Sequence, residues 1–308
     1  MLELVNFEPC PDSGRFYGGD AGRKVGVSWN GDDWMLKFPG PTKELTGSVP
    51  SYTSAPLSEF LGSQIYAMHG IDVHETKLGI REGKLVCACK DFEANHGRLV
   101  EFRELKNSMS DDEAGFSGSP SDGRNVVLAD VRATIYRHPW LNRIPGAIER
   151  FWDMFIIDSF IRNVDRNNTN WGILINGEHT SLAPVYDNGS SLYNKRTPKQ
   201  IHEHLHNENL LNQDILDVRS CYLDDRGHHI APLKYIASLQ DEECNNALVR
   251  FVNSYDQTRL DALFDSLPNE YAGIHVADDE YREYHKRILT QRYEQMLLPT
   301  YRKIIAAS

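Results

Sequence analysis

No stretch of the 308-residue chain approaches the roughly 18 consecutive apolar residues of a membrane span, so a transmembrane helix is excluded. The N-terminal run Met1-Leu2-Glu3-Leu4-Val5-Asn6 lacks both the basic start and the apolar stretch of a secretory signal. Cytoplasmic location is therefore expected, with export by a route that needs no such signal left open. Cysteine is sparse: Cys10, Cys87, Cys89, Cys221 and Cys244 are odd in number and contain no C-x-x-C. That pattern indicates neither a disulfide framework nor a cysteine zinc site, and reduced thiols are expected. Positive charge is in deficit, with 33 Lys and Arg against 44 Asp and Glu and a net charge of −11. Binding to a polyphosphate backbone draws its affinity from Lys and Arg, so direct nucleic-acid binding is not expected, although a local basic pocket for a small phosphate ligand is compatible with the balance.

What remains is a chain with 40% hydrophobic residues, long enough for one large core or two medium ones. Gly14 to Gly22 is too rich in glycine for a helix interior. Val25, Val27 and Trp29 then alternate as in a half-buried strand, Asn30-Gly31 signals a turn, and Trp34 to Phe38 returns as a second strand. After a Ser-, Thr- and Pro-rich connection, Ser54-Ala55-Pro56 starts a helix whose Leu57, Phe60, Leu61, Ile65 and Met68 recur at helical spacing, and Gly70 closes it. Further strands are expected near 75–80 and 84–89. Gly115 to Gly123 reads as a loop, Ala147 to Asn163 as a buried helix, and Asp279 to Ile305 as a long amphipathic helix. The expected architecture is α+β: a β-rich N-terminal lobe over residues 1–92 and a larger helical lobe over 93–308.

The most informative segment runs from Asn163 to Ile175. Asp165 lies on a loop between a buried helix and an apolar strand, and Asn170 follows five positions later. A hairpin turning at Asn176-Gly177 then delivers Asp187-Asn188-Gly189. This is the order that metal-assisted phosphoryl transfer requires. One Asp orients or accepts the proton of the attacking hydroxyl, while an amide oxygen and a second carboxylate hold Mg²⁺ on nucleotide phosphates.

Asp165-x4-Asn170 with Asp187-Asn188-Gly189 resembles the catalytic loop and D-x-G of protein-kinase-like enzymes. The surrounding Phe151-Trp152-Asp153-Met154-Phe155, Asn170-Trp171-Gly172 and Ala183-Pro184-Val185-Tyr186-Asp187 are similar to the HipA-like serine/threonine kinases, in particular their short CtkA-type branch. Met35 to Pro39, Ser51-Tyr52-Thr53, Leu57-Ser58-Glu59 and Val86 to Phe92 follow that branch in the same order, so the resemblance spans roughly residues 15–195. It implies a bilobed protein-kinase-like fold and ATP- and Mg²⁺-dependent transfer to Ser or Thr hydroxyls of a protein. It also implies Asp165 as catalytic base, Asn170 and Asp187 as metal ligands, and Lys37 and Glu59 as the pair that positions phosphates. Gly18, Gly19 and Gly22 would bring backbone N–H groups to the phosphates. Residues 87–92, Asp91 among them, would meet adenine. Lys37 also stands out on its own, because an unpaired ammonium in a strand of Trp34, Met35, Leu36 and Phe38 is costly and calls for a carboxylate. The resemblance brings an antitoxin or other regulatory protein into view as a partner. Ser13 lies just ahead of Gly14, without an alignment that makes it the family's regulatory serine.

Singly, each motif has a plainer reading as a turn, a first-turn acid or a solvated loop; their joint order favours the kinase. A lipid or small-molecule kinase, or a nucleotide-binding pseudokinase, uses the same residues. His202-Glu203-His204-Leu205-His206 matches H-E-x-x-H, the zinc metalloprotease pattern, with His228, His229 or Glu243 as nominal third ligands. Its polar neighbours, Lys199, Gln200, Asn207, Glu208 and Asn209, favour a surface helix or polar loop instead. Ser190, Ser191, Tyr193 and Thr197 lie where kinases carry an activation segment, and phosphorylation there would act through nearby Arg or Lys.

Overall fold

A computed structural model describes residues 2–18, 23–40, 53–93, 97–109 and 126–307. The chain divides into two compact units, and neither is one stretch of sequence. The first holds residues 1–91, 188–217 and 256–291, the second 92–187, 218–255 and 292–308. The first break falls beside the expected 92/93 boundary. Residues 188–217 and 256–291, expected in the helical lobe, instead cluster with the N-terminal residues. Hydrophobic periodicity marks which residues are buried but not which element buries them, so this interleaving has no local signature.

The first unit is built on a five-stranded sheet in the order β1-β4-β5-β3-β2. Its strands are β1 (Val5–Asn6), β2 (Lys24–Trp29), β3 (Asp32–Lys37), β4 (Thr76–Arg81) and β5 (Lys84–Lys90), and β1 joins β4 in parallel. Asn30 and Gly31 take positive φ, as a two-residue hairpin turn demands. Because side chains alternate along a strand, the two faces separate cleanly. Trp34, Leu36, Val86 and Ala88 join Phe7, Val27 and Phe38 in one buried cluster. The alternate positions Lys37, Cys87 and Cys89 therefore share the other face, with Lys37 directly opposite Cys87. Helix α1 (Ala55–Met68) packs on β4 and β5 and is buried along most of its length, including Glu59.

The second unit contains a three-stranded antiparallel sheet of β6 (Arg98–Glu101), β8 (Gly172–Asn176) and β9 (His179–Leu182). Short strands β7 (Val126–Val127) and β10 (Tyr222–Leu223) pair in parallel. A Cβ on Gly172 would lie 2.2 Å from the Val100 carbonyl oxygen, so only glycine lets β8 run this close to β6. Helices α2 (Phe102–Ser108) and α3 (Leu128–Arg137) lead to the central α4 (Ala147–Ile161), whose Phe151, Trp152, Phe155, Ile156 and Phe160 are fully buried. Later come α5 (Pro198–Leu205) and α6 (Glu208–Leu216) of the first unit, then α7 (Pro232–Ser238) and α8 (Glu242–Ser254) of the second. Helix α9 (Gln257–Asp265), the β11–β12 hairpin (Glu270–Tyr271, Ile274–His275) and α10 (Asp279–Arg292) follow. The long C-terminal helix is interrupted by a π turn at Tyr293–Leu297 before α11 (Leu298–Ala307). Among the described residues no helix is long and apolar enough to cross a membrane, and the five cysteines are free thiols.

Candidate active site

Within the first unit, the face of the sheet that carries Lys37 buries polar groups, Glu59, Ser63, His74 and Thr76, among apolar ones such as Leu78. Lys37 Nζ lies 3.0 Å from Glu59 Oε2, and the Glu59 side chain is only 2% exposed. Two ions taken from water cost several kcal/mol each, so a pair this buried persists only with dense compensation. Compensation comes from His74, in the loop before β4, whose Nε2 is 3.0 Å from Glu59 Oε1. Burial alone would raise the Glu59 carboxyl, but Lys37 and then His74 outweigh it and hold it well below the ordinary carboxylate range. Burial would likewise push the His74 imidazole down; Cys89 and Glu59 instead hold it up at about 9. The chain of contacts continues from His74 Nε2 to Ser63 Oγ at 3.2 Å and from Ser63 to Asn188, whose Nδ2 donates to Ser63 Oγ at 3.0 Å. Gly189 follows directly, and a Cβ there would sit 3.1 Å from Glu59 Oε2. The second and third residues of Asp187-Asn188-Gly189 are thus seated against the Lys37–Glu59 pair.

The glycine-rich segment is anchored in the same unit. Arg15 bridges Asp33 at 2.8 Å and Asp91 at 2.7 Å, and Tyr17 donates its hydroxyl to Asp91 Oδ2 at 2.8 Å. Asp91, expected near adenine, therefore commits its side chain to residues 15 and 17, and its backbone N–H goes to the Asp33 carbonyl. Gly18 accepts a bond from Lys24 Nζ on its carbonyl at 2.8 Å. Gly19 and Gly22, like Ser51 and Tyr52, lie outside the described residues.

The second unit holds Asp165 and Asn170 in a loop tied down from within. Helix α4 ends at Arg162 in the left-handed region, which turns the chain sharply. Asp158, the one carboxylate in the run Met154 to Phe160, is buried under that end. It receives Arg166 Nε at 2.9 Å, Arg166 Nη2 at 3.2 Å and Asn163 Nδ2 at 3.0 Å. The other side of the Arg166 guanidinium donates to the Asn170 carbonyl at 2.8 Å and to the Tyr186 carbonyl. One buried arginine thus fixes three segments: the helix end, the loop, and the residue before Asp187. Asn170 Nδ2 donates to the Asp165 carbonyl at 2.7 Å while its amide oxygen accepts from Thr169 Oγ1 at 3.1 Å, and Asn167 Nδ2 steadies Asp165 Oδ1 at 2.8 Å. Asp187 has φ +58°, a conformation Asp tolerates better than bulkier residues. Beside it Leu174, Ala183 and Tyr186 pack with Phe92 and Leu99 into an apolar cluster.

Sequence reasoning overlooked His74, Ser63, Arg15, Tyr17 and Asp158. Only Asp158 carried a signal, as a lone charge in an otherwise apolar helical run. Three of the four hydroxyls expected in an activation segment are engaged locally. Ser191 is buried and bonded to the Asn188 carbonyl, Tyr193 to the Asp214 carbonyl, and Thr197 caps α5 in a reciprocal box with Gln200. Ser13 packs against Gly26, with its N–H on the Gly26 carbonyl.

A buried strand-lysine and helix-glutamate pair, with a glycine pressed on the carboxylate, and an Asp-x4-Asn loop locked before an Asp-x-Gly define the kinase class. Its particular branch follows from comparison with known proteins: the chain belongs to the HipA-like C-terminal domain family, whose model matches residues 18–259. It is 31% identical over 274 residues to the serine/threonine-protein kinase CtkA of Helicobacter pylori, covering 87% of this chain and 80% of that one. The crystal structure of a Helicobacter pylori CtkA superposes with a TM-score of 0.87 at 27% identity, over 99% of this chain and 100% of the other. HipA of Shewanella oneidensis, solved with HipB and operator DNA, matches at a TM-score of 0.51 and 12% identity, over 97% of this chain and 70% of that one, a likeness of fold alone.

Proposed function

We propose that the protein is an ATP- and Mg²⁺-dependent kinase that phosphorylates Ser or Thr hydroxyls of a protein. The observation that carries this reading is the buried Lys37–Glu59 pair, whose desolvation is hard to explain as a contribution to stability but suits a lysine held ready for phosphate. In this reading Lys37 contacts nucleotide phosphates, Glu59 fixes its position, and Gly18, Gly19 and Gly22 belong to a loop that approaches them through backbone N–H groups.

Asp165 takes the role of base toward the acceptor hydroxyl. Asn170 and Asp187 would hold Mg²⁺. Their donor set fits that ion, because both offer oxygen ligands and the Asn170 amide nitrogen is already committed to the Asp165 carbonyl. The metal, when bound, supplies charge neutralisation on the transferring phosphoryl group. Asp187 can be probed cleanly with Asn, which accepts the left-handed backbone and removes only the charge.

Incubation with Mg²⁺, γ-labelled ATP and a basic acceptor protein tests the reading. Label on the acceptor or on the kinase itself is expected, absent in Asp165→Asn, which should still bind nucleotide, whereas Asp187→Asn should lose Mg²⁺-dependent binding. Full transfer by Asp165→Asn would reject the base assignment. Mg²⁺-dependent ATP binding without label on any protein would turn the assay toward lipid and metabolite acceptors.

A further inference from the structure

The His-rich segment takes no part in the chemistry above, and within the first unit it is organised. Helix α5 and its C-cap residue His206 turn three histidines to two sides. His204 faces inward, with Nδ1 2.7 Å from Asp214 Oδ2, where Arg196 and Tyr284 also converge. His202 and His206, four residues apart, face outward with ring centroids 4.6 Å apart. Both imidazoles meet one carboxylate oxygen from the first turn of α10: His202 Nδ1 is 2.7 Å, and His206 Nε2 3.2 Å, from Glu280 Oε1.

We propose that His202, His206 and Glu280 form a three-ligand site for a divalent transition-metal ion of the zinc class, which clasps α5 to α10. One donor atom from each lies within 4.8 Å of the others. Ligands at the Zn–N and Zn–O distances of roughly 2.0–2.2 Å from a tetrahedral ion stand about 3.3 Å apart, so side-chain rotation alone closes the gap. Such rotation is available, because these side chains are 62%, 59% and 41% exposed. Two imidazoles and one carboxylate suit Zn²⁺, Ni²⁺ or Cu²⁺, whereas Mg²⁺ and Ca²⁺ prefer all-oxygen shells.

The third ligand is Glu280, not His228, His229 or Glu243. Glu243 is bound instead by Arg132 and Trp152 in the second unit. The proposal assigns ion binding without a hydrolytic step. Its consequence is mechanical, since α5 would be held to α10 on its outer side by the ion and on its inner side by the His204–Asp214–Tyr284 group. The segment so held begins at Pro198, nine positions after Gly189.

The test uses the full-length protein, stripped with a chelator, titrated calorimetrically with Zn²⁺ and optically with Co²⁺. One ion per chain is expected, with a higher melting temperature in Zn²⁺ but not in Mg²⁺. Each of His202→Ala, His206→Ala and Glu280→Gln should weaken binding by about 10-fold or more. His228→Ala, beside a different exposed acid, should not. Absence of binding, binding undiminished in all three variants, or a cobalt–thiolate absorption band would overturn the proposal. The last result would move the ion to the buried Glu59–His74–Cys89 group.

Discussion

At the scale of single residues, the pair most exposed to test is Glu59 and Gly189. A glycine in Asp-x-Gly reads in the sequence as a turn residue, yet here its missing Cβ leaves room for the Glu59 carboxylate. Gly189→Ala should displace that carboxylate and loosen Lys37. A shift of under an ångström in a positioning group can cost about 10- to 100-fold in rate, so kcat/KM for ATP should fall by that order, and unchanged kinetics would show that Lys37 is positioned without Glu59. Acid titration gives an independent check. Glu59 in the folded chain is held below its ordinary value of 4.5, so its contribution to stability is whole above that pH and is lost as pH falls beneath it. The stability gap between the wild type and Glu59→Gln in urea should therefore be constant between pH 4.5 and 6.5, the ordinary values of Glu59 and His74, and shrink above 6.5 as the proton that Glu59 helps His74 hold is lost. It should also narrow by roughly 1.4 kcal/mol per pH unit below 4.5, and a gap indifferent to acid would mean that the carboxyl is not ionised against Lys37. Lys37 and Glu59 were legible because a lysine in an apolar strand demands a partner. His74 was not, since a lone histidine in a loop carries no pattern until the fold sets it against Glu59.

Among elements, the loop from Asn163 to Asn170 depends on a clamp that the sequence only half announces. Asp165, Arg166 and Asn170 were recognisable by spacing and resemblance. Arg166 as a buried bracket was not, because two of its partners are backbone carbonyls, of Asn170 and Tyr186, which no side-chain pattern encodes. Removing one member of a buried ion pair leaves the other uncompensated, at a cost of about 3–5 kcal/mol. Arg166→Met should therefore lower unfolding free energy by that order through Asp158, measurable by denaturant titration. The double variant Arg166→Met/Asp158→Leu should recover much of the stability without recovering phosphotransfer, since the loop carbonyls stay unheld. Recovery of transfer in the double variant would make the clamp a matter of stability alone. Strands β2 to β5 and β8, the Asn30-Gly31 hairpin, α1 and α4 were readable from periodicity and turn chemistry, whereas the two-residue strands β1, β7, β10, β11 and β12 are too short to show a period. The π turn at Tyr293–Leu297 was not, because one inserted residue barely alters the spacing of apolar positions in a helix.

For the molecule as a whole, chain order and compact unit diverge, and this has a consequence for dissection. The sequence suggests that residues 1–92 form a lobe that ends where composition changes. In the structure the unit containing those residues also draws on 188–217 and 256–291. Helix α1 packs on α9, the β11–β12 hairpin approaches β5, and the N-terminal Leu2 N–H bonds the Ser266 carbonyl. Leu57, Phe60, Leu61 and Ile65 of α1 are buried to 4% exposure or less, more than a single sheet face can cover around a helix. Cut at residue 92, the fragment would leave part of that apolar surface in water, together with Ser63 and Glu59 deprived of Asn188 and Gly189. Expressed alone, residues 1–92 should therefore show no cooperative thermal transition and poor amide dispersion by NMR. A fragment that unfolds cooperatively would show the later segments to be accessories, and would restore the boundary that composition suggests.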